Sequence, residues 1–368
     1  MNVLVLNLGM DAAHPTLGHT TAWVNALARR VEHVSVITMF AGKLAVEENV
    51  TVHSLGKELG RSEARRLASF YRLSQAIVGE RRIDVCFAHM APLFATLFSP
   101  IARSKGIPTV LWYAHTSVTR RLRAAHAVAD RCITPAIGSF PLASEKLSVV
   151  GHGIDTDVFV PPKRVEDRYW DTIVSVGRIT PIKQIDEMLD GLVLLRDRHA
   201  VEPHLELIGG PSTASDRRYE ARLRDRTRAL GLDRQVSFRG ARPYSAVAAC
   251  YHAGALVLNL GAGALDKAIL EGMAAGCLPI SRNAGFAALA NANALAQLVP
   301  AQGAEALSEC LQTALALYRS ERDAAVAKLR GVVVEQHSLT TLMDRIVEVL
   351  AEVTQARRAS VRGEAVRT

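Results

Sequence analysis

Aromatic residues are scarce in this sequence, at 5% with three tryptophans. Few of them interleave with its arginine clusters, Arg61, Arg65, Arg66 and Arg72, then Arg120, Arg121 and Arg123. Proteins that hold single-stranded nucleic acid stack bases on aromatic rings along a basic groove, so this composition argues against that class. Cysteine is sparse too. Cys86, Cys132, Cys250, Cys277 and Cys310 form an odd, isolated set with no CxxC pair. That excludes a disulfide framework or a zinc site and points to reduced thiols. No apolar run approaches the roughly 20 residues of a membrane-spanning helix. The opening MNVLVLNLGMDAAHP has no basic segment before its short apolar run, so it reads as a first β-strand and not as a signal peptide. There is no internal repeat of short fixed period. The expected location is cytoplasmic, with peripheral attachment to the inner face of the membrane as a variant of it.

What is present suits a two-domain globular chain. The 368 residues allow two domains, each with its own core, and 49% apolar with 22% charged residues is an ordinary globular balance. The formal net charge of +8 favours an anionic partner: a nucleotide, an anionic membrane surface or nucleic acid. The arginine clusters fit either a solvated helix face or a membrane-surface patch.

Short β-branched runs alternate with longer helical patterns. Strands are predicted at 2–8, 34–38, 50–55, 84–89, 108–114, 131–136 and 146–150, with helices such as 21–31, 63–78 and 93–106 between them. The pattern breaks at FVPPKRVEDRYW (159–170), whose prolines and charges read as a linker. A second series follows, with strands at 172–178, 204–210, 235–241, 255–261 and 277–282 and helices at 185–199, 219–231 and 265–276. Such alternation predicts parallel sheets covered on both faces. The expectation is an α/β chain with two tandem Rossmann-like doubly wound domains, 1–155 and 156–338, and a cleft between them. An amphipathic helix at 339–355 should pack back on the first domain, and ARRASVRGEAVRT (356–368) reads as a disordered basic tail.

Two stretches carry chemistry. In VSVGRITPIKQID (174–186), Gly177 lets backbone approach a ligand at a strand end and Arg178 supplies a planar, permanently charged fork. Pro181 suits a first helical turn, from which Lys183 would point. Helix N-termini attract anions, so the joint fits a diphosphate; cations paired with surface carboxylates fit the spacing as well. In GALDKAILEGMAAGCLPIS (263–281), Glu271 interrupts an otherwise apolar helix. It is either an exposed helix-face glutamate or a buried acceptor that needs partners, such as a pair of sugar hydroxyls.

With LELIGG (205–210) and VSFRG (236–240) between them, these stretches resemble the donor-binding domain of the family 4 retaining glycosyltransferases, the group 1 type with the GT-B fold. KLSVVGHGIDTDVFVP (146–161) is similar to that family's entry into its second domain, and VLWYAHTS (110–117) with AVADRCITPA (127–136) to its histidine-bearing strand end. The resemblance covers roughly residues 1–350 in order. It implies a hexosyltransferase-type enzyme moving a sugar from a UDP- or GDP-sugar to a saccharide or lipid-linked hydroxyl acceptor, with retention. It also implies no metal or other cofactor, no nucleic acid partner, peripheral contact with anionic membrane, and a setting in bacterial envelope polysaccharide or glycolipid synthesis. By the same resemblance, Arg178 and Lys183 hold the diphosphate and stabilise it as it leaves, Glu271 accepts from the ribose, and His115 sits close to the transferred sugar. Gly18, in HPTLGHT, lets backbone approach the donor phosphate. Gly177, Gly209 and Gly240 lie along the donor site, with 238–242 near the base.

Three positions depart from the family pattern. Gly263 replaces a glutamate that contacts the sugar, with Asp266 and Lys267 placed to take over part of its role. The first loop has one glycine, Gly18, where many members have two, and His152 stands where asparagine is common. Competing readings are a GT-B sugar-nucleotide epimerase and a non-catalytic sugar-nucleotide binder. Asp155-Thr156-Asp157 spells DxD but falls at the domain joint, away from the donor motifs, so no metal role is assigned to it. His89, which ends a predicted strand, and His14 and His19, which flank the Gly18 loop, are weaker candidates than His115.

Overall fold

The computed structural model describes residues 1–14, 17–115, 117–162 and 169–365. The chain divides into two units, one formed by Met1–Gly153 with Leu339–Thr368, the other by Ile154–Ser338. Part of the expected linker, 163–168, lies outside the described residues.

The first unit runs β1 (Asn2–Asn7), α1 (His19–Ala28), β2 (His33–Thr38), β3 (Val50–Ser54), α2 (Glu63–Glu80), β4 (Val85–His89), α3 (Pro92–Lys105), β5 (Thr109–Trp112), α4 (Arg120–Val128), β6 (Arg131–Thr134) and β7 (Leu147–Val149). Its strands form one parallel sheet in the order β3-β2-β1-β4-β5-β6-β7. Central β1 registers Val3 against Val34 of β2 and Val85 of β4. Successive side chains of a strand point to opposite faces. Val3 and Val5 therefore join one core, with Trp23, Val24 and Leu27 of α1. Leu4 and Leu6 join the other, with Phe70 and Ile77 of α2, Phe94 and Phe98 of α3, and Leu122 of α4. Burial on both faces is why these strands read as unbroken apolar runs. His89 closes β4 inside the first of these layers, buried with its ring 4.7 Å from that of Trp23.

The second unit contains β8 (Tyr169–Val176), α5 (Ile185–His199), β9 (His204–Ile208), α6 (Ala214–Ala229), β10 (Val236–Gly240), α7 (Tyr244–His252), β11 (Gly254–Asn259), α8 (Lys267–Ala274), β12 (Leu278–Ser281), α9 (Ala284–Ala292) and α10 (Ala304–Val332). Its parallel sheet has the order β10-β9-β8-β11-β12. A five-residue π-turn, Val333–His337, then leads to α11 (Leu339–Ala365).

Helix α11 belongs to the first unit. Leu342, Met343, Ile346 and Leu350 enter the core that α1 covers. Asp344 pairs with Arg30 at 2.7 Å, and Arg345 donates to the Val150 carbonyl at 3.1 Å. The expectation of a disordered tail over 356–368 is corrected for 356–365, which continue this helix; 366–368 lie outside the described residues. Extending a formed helix costs little beyond its nucleus, and Arg358 pairs with Asp84 at 2.6 Å on the way. Among the described residues, no helix is long and apolar enough to cross a membrane.

Helix α8 owes its seat to Gly272. A Cβ there would fall 2.5 Å from Cγ1 of Val257, on the fully buried strand β11. Alanine is the better helix former by about 1 kcal/mol, yet Val257 has no room to move aside. Gly272→Ala is therefore expected to destabilise the chain by about 1–3 kcal/mol in urea unfolding. A more stable variant would show that α8 is not held by close contact with β11.

Candidate functional site

Strand order in the second unit reverses between β8 and β11. In open parallel sheets, ligands bind beyond the carboxyl ends of the strands at such a reversal. Glycines line this edge. Gly177 follows β8 with φ +148°, Gly209 follows β9 with φ +140°, and Gly240 ends β10 with φ +71°. The Gly177 N–H donates to Ile208 O at 2.9 Å, and the Gly209 N–H donates to Gly240 O at 2.9 Å. A Cβ on Gly209 would lie 1.8 Å from the Gly177 carbonyl oxygen. Only glycine permits both this approach and this backbone angle. Three neighbouring strand ends thus present bare backbone.

Lys183 lies over this edge. The expected helical first turn is instead a separate 3-10 turn, Pro181–Lys183, because Gln184 adopts φ +53° and breaks the path before α5 begins. This corrects the reading that Lys183 points from the turn of the following helix. A Cβ on Gly177 would be 3.3 Å from the Lys183 Cε, and one on Gly261 would be 3.5 Å from its Cδ. The lysine stem therefore runs between the ends of β8 and β11. Its ammonium meets Asp266 Oδ2 at 2.7 Å. The same oxygen accepts from Asn259 Nδ2 at 2.7 Å, and Oδ1 accepts the Ala268 N–H at 2.9 Å, which caps α8. Burial alone would push the Asp266 carboxyl up, but the Lys183 charge and these hydrogen bonds hold it below the ordinary carboxylate range. Arg178 extends from the β8 end, exposed, with no ion-pair or hydrogen-bond partner among the described residues.

One turn into α8 lies a second cluster. Glu271 is 4% exposed, which excludes the helix-face alternative. Its Oε2 accepts from the Tyr251 hydroxyl at 3.4 Å, while Oε1 is buried without a hydrogen-bond partner and faces the Lys267 ammonium at 3.6 Å. Lys267 also donates to the Tyr244 hydroxyl at 3.3 Å and sits 4.6 Å from that ring's centre. Burial raises the Glu271 carboxyl and lowers the Lys267 ammonium, each shift being opposed by the other's charge. An acceptor oxygen left open in this way suits a hydroxyl donor on a ligand.

The remaining predicted residues fall elsewhere. Gly263 has φ +134° and open space around its Cβ position. Gly18 caps α1 in the first unit with ordinary helical angles, so its backbone does not itself demand glycine; residues 15–16 of its loop lie outside the described residues. His115 lies three residues beyond β5 in the first unit, exposed, with Nδ1 accepting the Ser117 N–H at 3.0 Å. That bond leaves Nε2 to carry the proton of the neutral ring. The Asp155 carboxylate of the DxD stretch accepts the backbone N–H groups of Asp157 and Val158, each at 3.2 Å, which closes a local turn. The sequence reading missed Asn259, Tyr244 and Tyr251. Of these, only Asn259, a polar end to an apolar strand, carried a signal.

Residues 161–330 match the model of a family described as glycosyl transferases group 1. That span lies within the second unit, and over it the sequence is similar to the group 1 glycosyl transferases. Over 81 residues, the chain is 40% identical to the D-inositol 3-phosphate glycosyltransferase of Jonesia denitrificans; this stretch is 18% of the chain and spans only 19% of that relative. Sucrose-phosphate synthase of Thermosynechococcus elongatus superposes with a TM-score of 0.74 at 14% identity, over 97% of this chain and 100% of the other. The Anabaena HepE protein, solved in complex with UDP, superposes with a TM-score of 0.69 at 14% identity, over 96% and 100%. At such identities the likeness concerns the fold, and with the two parallel sheets it is the GT-B fold.

Because the Asp266 carboxyl is held low, its contribution to stability is complete above an unfolded pKa of about 4. It is lost as pH falls through the lower folded value. Asp266→Asn should be less stable than wild type by about 1–3 kcal/mol at neutral pH. That gap should narrow below about pH 4. Urea unfolding across that range checks this, and a gap that ignores pH would remove the charge role given to Asp266.

Proposed function

We propose that the protein transfers a sugar, with retention, from a nucleoside diphosphate sugar to the hydroxyl of a saccharide or lipid-linked acceptor. The observation that carries the reading is the Lys183 ammonium over glycine-lined strand ends at the point of strand reversal, where the exposed Arg178 follows Gly177 in the chain. UDP in the HepE complex makes a UDP-sugar the first donor to try, with a GDP-sugar next. The bond from the sugar's anomeric carbon to the diphosphate oxygen breaks, the acceptor hydroxyl oxygen bonds to that carbon on the same face, and its proton passes to the departing diphosphate oxygen. Lys183 and Arg178 meet the charge that develops on the departing diphosphate. Glu271 Oε1 takes a ribose hydroxyl, and His115 acts near the transferred sugar. Asp266 and Lys267 line the donor side where Gly263 leaves space. We assign no metal or cofactor to the reaction. Hexosyl transfer in bacterial envelope polysaccharide or glycolipid synthesis, at the cytoplasmic side, is the setting this chemistry suits.

Thermal unfolding with UDP, GDP, ADP and CMP tests the reading. A nucleotide at about 100 times its dissociation constant should stabilise the wild type by roughly 2.7 kcal/mol, and Lys183→Ala should still fold, with a lower unliganded midpoint because Asp266 loses its partner, but should lose that shift. A shift kept in Lys183→Ala would remove the phosphate role, and no shift with any nucleotide would remove the donor reading. His115→Ala should reduce transfer about 100-fold and donor binding far less; equal losses would make it a binding or packing residue. Product formed from donor alone, with no acceptor, would indicate an epimerase instead.

A further inference from the structure

The first unit holds a cavity of about 330 Å³ at the amino ends of β5, β6 and β7, the edge opposite to the carboxyl end of β5 beyond which His115 lies. Reaction sites of open parallel sheets sit beyond the carboxyl ends of the strands, so sugar transfer does not account for this recess. Its size suits a small ligand.

Three cations from three separate elements line it. Arg103 stands in the last turn of α3, Lys146 directly precedes β7, and Arg357 comes from α11. Their sequence neighbours Arg131 and Arg358 each face a carboxylate, Glu352 at 3.9 Å and Asp84 at 2.6 Å. Arg103, Lys146 and Arg357 are ion-paired with none among the described residues. One carboxylate lines the cavity, Asp130, and its Oδ2 accepts the Thr109 N–H at 2.7 Å, tying the starts of β5 and β6 together.

Helix ends explain part of this arrangement. Cations favour helix C-termini, which suits Arg103 on α3. Lys146 Nζ likewise donates to the Ala129 carbonyl at 3.0 Å, at the end of α4. Neither reason reaches Arg357. Its Nε is buried without a hydrogen-bond partner, an arrangement that costs stability until an acceptor arrives. Only the helical continuation of α11 past residue 355 brings this guanidinium to the cavity. The apolar side chains of Ala102 and Ile107 line the same space and offer contact to carbon atoms.

We propose that this cavity binds the phosphate monoester of a small molecule, at a site separate from the donor edge. Three cations against one carboxylate match the nearly double charge of a monoester at neutral pH. The two guanidinium groups and the ammonium supply several donors to its three acceptor oxygens, Arg357 Nε among them. The site does not rest on the transferase reading.

The test is calorimetric titration of the full chain with glycerol 2-phosphate at fixed ionic strength. Saturable binding is expected, tighter than that of inorganic phosphate, with none for glycerol. Arg357→Gln should weaken it about 10-fold, as should Arg103→Gln, an exposed position whose replacement leaves the core intact. Excess UDP should not displace it. Absence of binding, equal or tighter binding of inorganic phosphate, undiminished affinity in both glutamine variants, or displacement by UDP would each overturn the proposal.

Discussion

The second unit depends on one ion pair, between Lys183 and Asp266, residues far apart in sequence and 2.7 Å apart in the fold. It spans the point where strand order reverses, joining the turn after β8 to the start of α8. Half-buried charges like these are stable only together. Removing one partner leaves the other desolvated and uncompensated, a loss of about 3–5 kcal/mol when such a pair is fully buried. The pair also holds the lysine ammonium at the glycine-lined edge before any ligand arrives. Preorganisation of that kind makes an electrostatic site effective, because little has to move when charge develops on a leaving group.

The surrounding structure serves this placement. Gly209 and Gly177 bring two strand ends into contact that no side chain would permit. Gly272 lets α8 lie flat on β11, which sets Asp266 at the helix start and Glu271 against Tyr251. Asn259 binds the Asp266 carboxylate and, through its own oxygen, the Gly261 N–H at 3.0 Å, so the loop after β11 is tied to the same pair. Packing and charge are thus arranged by a handful of small residues.

The two alternating series of strands and helices were legible because strands buried on both faces read as continuous apolar runs. The site was legible in part. Gly177, Arg178 and Lys183 show in the sequence because a glycine and two cations at a strand end suit an anion by their chemistry alone. The partner of Lys183 does not show, since only folding brings Asp266 to it. The 3-10 turn was hidden by Gln184, a residue with no strong preference for the left-handed region it adopts. Whether Glu271 is buried or exposed could not be read from α8 alone, because it depends on Tyr251, contributed by another helix. The basic segment after 355 looked disordered by composition, yet it prolongs a helix already anchored on the first unit.

The first unit differs from the second: it carries the exposed His115 after β5, and among the described residues its glycines do not bring neighbouring strand ends together as Gly177 and Gly209 do. The proposed transfer requires the donor to bind where the ion pair lies. The most direct test is a crystal structure of the chain with UDP. The account requires diphosphate oxygens within about 3 Å of Lys183 Nζ and the Arg178 guanidinium, with a ribose hydroxyl on Glu271. Nucleotide bound elsewhere, with the Lys183–Asp266 pair untouched and no phosphate beside it, would contradict the account.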